Sequence, residues 1–514
     1  MRRVMSVAVV AALLLATAEM PAFANDSALG GVGGAVLPIT VADIRMESES
    51  VQLIAYAGFS AVRVDFKFVN SGAERTVKLG FPFELPWEQA DPSDLPAAAG
   101  FRAWQDSSPL AVTWVGPKRG DTAPADGYIG YYVHEATFKP GTTMIRVEYL
   151  AEPNSQVPTP DIPSPPEKYK GMLSSNASYE YWVHTGAGWG GTIGKSVIRY
   201  TLSDDFQGWG IEAAQKRFAS QDGLPAGMAE IATAYERPDA HTYQWTFVDY
   251  EPTVDKGQFF SKYDTRLAYF QPSWVNEKFE ETPLPGWPPD HVVNAQASSF
   301  LKLGDIEYPA DGAFRGVAWA WAEGVAGSGS GQWVKATFAG ARDIREIRVI
   351  PGYAKSPALF AKYNRPKTLD VEFSDGTKQT LQLADEPSLQ RFPVTAKATW
   401  AKVTIGEVYR GTTRDETYLT LVDFGRAASP EFATFEEVTG DKAAGTPGEA
   451  TVATDATGDA SATGDASAGG TQPSGGSRTL LIVAVIVAAG AMGIALIAAA
   501  VWMVVRMSKG KGPA

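Results

Sequence analysis

The 514-residue chain contains no cysteine. Disulfides, thiolate nucleophiles and cysteine-ligated metals are therefore excluded. Export without disulfides is unusual for an animal domain of this size but ordinary for a bacterial one. Histidine is nearly as scarce, with four copies: His134, His184, His241 and His291. No two of them stand at a metal-ligand spacing such as HExxH, and each reads as a strand or turn residue. Basic charge is short as well. Lys and Arg number 45 against 58 Asp and Glu, a formal net charge of −13. Phosphate backbones need a basic footprint, so no nucleic-acid partner is expected. A P-loop and a G-x-S-x-G elbow are both missing. No catalytic residue and no cofactor is assigned, and the sequence leaves a bound cation open.

The two ends carry what the middle lacks. Arg2 and Arg3 precede a short apolar run, Val4 to Ala18, and Ala22-Phe23-Ala24 is a small-x-small cleavage site. Residues 1–24 read as a secretory signal, too short for the ~20 apolar residues of a spanning helix. Near the other end, 479–505 has neither charge nor proline, and Arg506, Lys509 and Lys511 follow it. This pattern predicts one transmembrane helix with a short cytoplasmic tail, 506–514, and everything before it outside. The expected location is the cell membrane, single-pass, with extracellular domains.

Between these ends, Pro283-Leu284-Pro285-Gly286-Trp287-Pro288-Pro289 reads as a stiff connector, since consecutive prolines fit neither helix nor central strand. It separates an N-terminal region, 25–280, from a second one, 290–428. Residues 429–478 read as a low-complexity stalk. From Gly440 to Ser477 almost no large apolar side chain occurs, and TGDASA repeats at 457–462 and 463–468. Strand signals dominate elsewhere. Val62, Val64, Phe66 and Phe68 alternate with Arg63, Asp65 and Lys67. Ile145, Val147 and Tyr149 alternate with Arg146 and Glu148, and Leu369, Val371 and Phe373 with Asp370 and Glu372. In 344–350 the same rule groups Ile344 with Glu346, Arg348 and Ile350. Only short helices are expected, such as 212–219. The fold class is mainly β: two β-sandwich or jelly-roll domains plus the C-terminal helix.

Aromatic residues gather beside polar turns, as in Tyr179-Tyr181-Trp182-Trp189, Trp319-Trp321-Trp333 and Tyr353-Phe360-Tyr363. A ring covers the apolar C–H face of a sugar while planar polar groups bond its hydroxyls. The same rings also serve to fill β cores.

An ordered set of segments runs through the second region. Ala297-Ser298-Ser299, Tyr308, Asp311-Gly312 and Ala318-Trp319-Ala320 come first. Gly327 to Val334, Ile350 to Lys355, Tyr363-Asn364-Arg365-Pro366-Lys367 and Phe373 to Gly376 follow. Ile405, Val408-Tyr409 and Gly411, then Asp415 with Thr417, close the set. Residues 293–425 thereby resemble the NADase-type glycan-binding domain, a discoidin-like, galactose-binding jelly roll of bacterial surface proteins. Gln332 and Val317 stand where that family tends to carry an acid and a threonine. The resemblance implies a glycan or envelope-polysaccharide ligand at one end of the barrel. Tyr353, Lys355, Tyr363, Asn364, Arg365 and Tyr409 are the expected contacts; for Asn364-Arg365-Pro366 a purely structural turn is the alternative. More weakly, 25–271 resembles an exported bacterial domain of unknown function (DUF4424-like), on Asp43 to Glu49 and Gly80-Phe81-Pro82. The leading expectation is a surface-anchored glycan-binding protein. The alternatives are an envelope-polymer-processing enzyme with an accessory module and a structural protein–protein interaction module.

Overall fold

A computed structural model describes residues 33–34, 37–38, 43–85, 98–116, 128–155, 162–254, 260–276, 292–304 and 306–442. The signal segment, the proline-rich connector, most of the stalk, the apolar run 479–505 and the tail lie outside the described residues. Among those described, no helix is long and apolar enough to cross a membrane.

The first domain is built on a seven-stranded sheet. Its order is Thr242–Tyr250, Ile193–Leu202, Ile44–Ala55, Ser60–Asn70, Gly141–Ala151, Ala98–Gln105 and Ser108–Leu110. Ile193–Leu202 runs parallel to Ile44–Ala55, and every other pair is antiparallel. Val62, Val64, Phe66 and Phe68 point into one core with Ile145, Val147 and Tyr149, as their alternation predicts. A second sheet, centred on Arg75–Leu85 and Tyr128–Phe138, adds Phe81, Phe83 and Tyr132 to the same core. A third pairs Met172–Trp182 with Thr265–Asn276. The outer face of the large sheet carries cross-strand ion pairs. Arg146 meets Asp65 at 2.6 Å, and Glu148 meets Arg63 at 2.9 Å and Arg102 at 2.8 Å, as their register dictates. The expected helix forms as Ile211–Ala219.

One carboxylate inside this core has no cationic partner among the described residues. Glu49 is fully buried and accepts from Ser196 Oγ at 2.6 Å, Tyr250 Oη at 3.3 Å and Tyr181 Oη at 3.4 Å. Burial pushes its carboxyl up to about 7, against the pull of these donors. The folded chain thus holds this proton more tightly than the unfolded chain. Its stability falls as pH rises from the ordinary carboxylate range towards 7, by on the order of 2–3 kcal/mol. We expect Glu49→Gln to raise the melting temperature relative to wild type at about pH 8 and much less at about pH 5. A difference that does not change with pH would refute this assignment.

The second domain wraps around the 19-residue strand Trp333–Pro351. Along its length this strand pairs with Gln390–Ile405. Its first part also takes Asn294–Ala297 and its last part Tyr418–Gly425, so it turns a corner between two layers. Register shifts between Thr337 and Arg342, and between Ile344 and Glu346, make that turn. The second shift corrects the predicted alternation. Ile344 joins Ile347 and Val349 in the core, while Glu346, Arg348 and Ile350 face the other way. Thr368–Phe373, Lys378–Gln382 and, at the other edge, Trp321–Ala322 complete the sheet, with Leu369, Val371 and Phe373 inside as expected.

The two cores are joined rather than strung apart. Ile54, Tyr56, Phe59 and Leu150 of the first domain pack with Val317, Ile350, Phe360 and Leu421 of the second in one apolar cluster. Beside it Arg348, 1 % exposed, binds Asp205 of the first domain at 2.6 Å, Glu346 at 2.6 Å and Asp423 at 2.5 Å. Its guanidinium also lies 4.5 Å from the Tyr56 ring. The chain after Tyr418–Gly425 then returns across the first domain. Gln52 exchanges two hydrogen bonds with Ala433, Arg63 covers the Phe432 ring, and Lys195 bonds the Thr439 carbonyl. Thr434 and Glu437 form a capping box for the helix Phe435–Thr439, which buries Phe435 and Val438. Residues 429–442 are therefore folded, and the segment predicted as stalk from 429 is shorter by that much.

Candidate functional site

The strand Trp333–Pro351 delivers the chain to one end of the second domain. There Gly352, at φ 70°, turns it; a Cβ at this position would lie 2.5 Å from Arg365 Cγ. Most of the predicted contacts meet here. Tyr353 stacks on Tyr418 with ring centroids 4.7 Å apart, and Tyr363 and Tyr308 close around the pair. Asn364 donates to the Asp415 carbonyl and accepts from Gly411 N–H. Arg365 grips Asp385 with two nitrogens, at 2.5 and 2.8 Å, and donates to the Phe360 and Tyr363 carbonyls. Tyr409 Oη donates to the Leu383 carbonyl.

These residues form a floor, and the expectation that they face a sugar is corrected. Tyr353, Tyr363, Asn364 and Arg365 are each less than a tenth exposed, and the Asn364 amide and Arg365 guanidinium are engaged within the protein. Buried amides and guanidinium groups require such partners. Tyr409 is half-buried. Lys355 leaves the group altogether and turns towards the joint between the domains, where its ammonium donates to the Val317 carbonyl of its own domain.

What faces water at this end is a different set. Among the described residues seven large apolar side chains are exposed, and four of them lie between 300 and 325: Phe300, Ile306, Trp319 and Val325. Trp319 is 41 % exposed. The Arg315 guanidinium lies 4.1 Å from its ring centre, and Asp311 holds that guanidinium at 3.3 Å. Lys302 lies 5.0 Å from the Phe300 ring and pairs with Glu307 at 2.5 Å. Phe300 and the 323–325 turn are in contact, since a Cβ on Gly324 would fall 2.2 Å from the Phe300 carbonyl oxygen. Buried Glu323 pins that turn by accepting from Thr417 N–H and Val325 N–H. Gln332 accepts from Ser298 and Ser299 at 2.7 Å, so the amide binds serines within the loop. The predicted Trp319-Trp321-Trp333 group divides. Trp321 is sealed in the core, Trp333 is half-buried and Trp319 stands out. No periodicity marks Phe300, which follows two serines in a loop.

The first domain offers less. His184 Nδ1 lies 2.6 Å from Asp264 Oδ2, and its ring stacks on Trp182. His134 is buried in a strand, and burial pushes its imidazole down to about 4, so it is neutral. A small depression between the helix Ile211–Ala219 and the third sheet is lined by Asn154, Asn176, Arg217, Phe218 and Arg266. Beside it Arg266 is tied to buried Glu180 at 2.7 Å. Among the described residues no group of three or more His, Asp or Glu is placed to hold a metal ion.

Residues 290–425 match the family model described as the NAD glycohydrolase translocation F5/8 type C domain. No curated protein is similar to the chain. Among solved structures, a Legionella pneumophila protein given as a candidate nutrient binder is 18 % identical, covering 47 % of this chain and 71 % of its own, at a TM-score of 0.33. The family 32 carbohydrate-binding module of C. perfringens NanJ, solved with galactose, is 16 % identical over 26 % of this chain and 91 % of its own, at a TM-score of 0.20. The corresponding module of AlyQ, solved with 4,5-unsaturated mannuronic acid, is 12 % identical over 26 % and 96 %, at 0.21.

Proposed function

We propose that the discoidin-like module at 290–425 binds a saccharide through the rim formed by Trp319, Phe300 and their charged neighbours. The observation that carries this reading is the concentration of exposed rings, each paired with a cation, within 300–325. A ring takes the C–H face of a sugar, and Asp311, Arg315, Lys302 and Glu307 supply donors and acceptors for its hydroxyls. Leu301 and Ala320, next in the chain to Phe300 and Trp319, pack with the tyrosine floor, and this anchoring lowers the entropy lost on binding. The acidic, cysteine-free chain with apolar 479–505 supports display at a bacterial cell surface on a stalk. We assign it no catalytic step.

A glycan array probed with the full-length chain tests the reading. Trp319→Ala is expected to weaken whichever saccharide binds by at least about tenfold, since a stacked aromatic anchor contributes that much. The fold should be unaffected, because Trp319 is exposed. If wild type binds no saccharide at about millimolar concentration, the weakest affinity a specific site would show, the reading falls.

A further inference from the structure

The rim is not held by its own domain alone. Gly316, Val317 and Ala318 lead into Trp319, and this short loop lies against the first domain. Glu152, at the end of the first domain's strand Gly141–Ala151, accepts from Ala318 N–H through Oε1 at 2.7 Å. Lys355 donates to the carbonyl of Val317 on the other side of the loop. Tyr132 of the first domain donates to the Lys355 carbonyl at 2.9 Å. Val317 itself is fully buried in the joint apolar cluster. Gly316, at φ 122°, presses so closely on the carboxylate that a Cβ there would lie 2.5 Å from Glu152 Oε1. The Val317–Ala318 peptide unit ahead of the exposed tryptophan is thus gripped at its N–H by an acid and at its carbonyl by an ammonium, the acid being contributed by the first domain.

We propose that Glu152 is a positioning residue for saccharide binding, so that the two domains make one binding unit and the first domain sets the pose of Trp319. This rests on the glycan reading above. It assigns the first domain a role that the motifs of the second do not suggest. The groups that act on Glu152 are Lys355, Arg315 and Tyr179. Burial raises the Glu152 carboxyl and lowers the Lys355 ammonium, while each favours the other's charged form. As pH falls, protonation of Glu152 takes the charge from the acceptor of the Ala318 N–H, and that side of the grip loosens, while Lys355, lowered by burial to about 7, gains its own charge over the same range.

The test compares full-length wild type with Glu152→Ala, the isosteric Glu152→Gln, and Trp319→Ala as the reference for loss at the rim. Backbone amide exchange at 316–319 and saccharide affinity are read at about pH 8 and about pH 5, on either side of the shifted carboxyl. Glu152→Ala is expected to speed exchange at Ala318 about tenfold and to weaken the saccharide by a similar factor. Glu152→Gln keeps the acceptor and the shape. It is expected to give an affinity that no longer varies between the two pH values, whereas wild type weakens at the lower one. A purely structural role for Glu152 would not flatten that profile. Unchanged exchange at 316–319 together with unchanged affinity in Glu152→Ala overturns the proposal, as does a Gln variant that keeps the wild-type pH profile. If wild type binds no saccharide, the glycan reading fails by itself, and the exchange data still decide whether Glu152 holds the loop.

Discussion

Arg348→Met lowers the stability of the folded chain by about 3–5 kcal/mol, the cost of removing one partner from a buried ionic cluster. The size follows from the count of charges. One guanidinium, 1 % exposed, serves Asp205, Glu346 and Asp423 at 2.5–2.6 Å, and also donates to Ser429. Three carboxylates already crowd a single cation. Without it they stay in a low-dielectric space and lose the cation that all three share, and methionine fills the volume but supplies no donors. Burial would disfavour the guanidinium's charge, yet the carboxylates, Asp423 and Asp205 foremost, hold its pKa above the ordinary arginine value. Chemical denaturation of wild type, Arg348→Met, Asp205→Asn and the double variant measures the effect. The double variant should lose clearly less than the sum of the two single losses, because the residues share one network. Strict additivity, or a loss below about 1 kcal/mol as for a surface pair, would show that the cluster is not a joint.

The second large effect concerns separation of the domains. A chain limited to residues 290–442 exposes Val317, Ile350, Phe360 and Leu421, which are buried in the full chain. Burial of a large apolar side chain contributes about 1.5–3 kcal/mol, so the isolated piece loses that contribution several times over and gains a sticky face. It also leaves Lys355 without Glu152 and Arg348 without Asp205. The expected outcome is a fragment that aggregates or melts well below the whole chain. In contrast, a protease site placed in the connector 283–289 and then cut should leave two pieces that co-elute. Pieces that part on a sizing column, or a monomeric 290–442 as stable as the whole, would contradict the shared core.

The strands were readable where one face meets a core and the other meets water or a cross-strand partner. Val62 to Phe68 and Leu369 to Phe373 obey the two-residue period for that reason. The period failed where both faces are covered. Glu346 and Arg348 look like the solvent side of a strand, but that side is the domain interface, and a register shift at Ile344 changes the phase. The ligand residues failed for a related reason. Tyr, Asn, Arg and Lys present the same donors to a sugar hydroxyl as to a backbone carbonyl, and only the tertiary neighbours decide which they meet. Asn364 and Arg365 meet carbonyls and Asp385. The region of the site was legible from the motif order; its water-facing members were not. Composition likewise overextended the stalk, because Phe432, Phe435 and Val438 are too few to alter an average yet enough to dock one short helix.

That docked helix has a mechanical consequence. The chain leaves the second domain and crosses the first, with the last of the described helices laid on the strands Ile44–Ala55 and Ile193–Leu202. A tug from the C-terminal side therefore peels a five-residue helix before it loads any strand ladder. The helix acts as a tear-off tab, giving way under shear while both β cores, and the pose of the ring at 319, stay as they were.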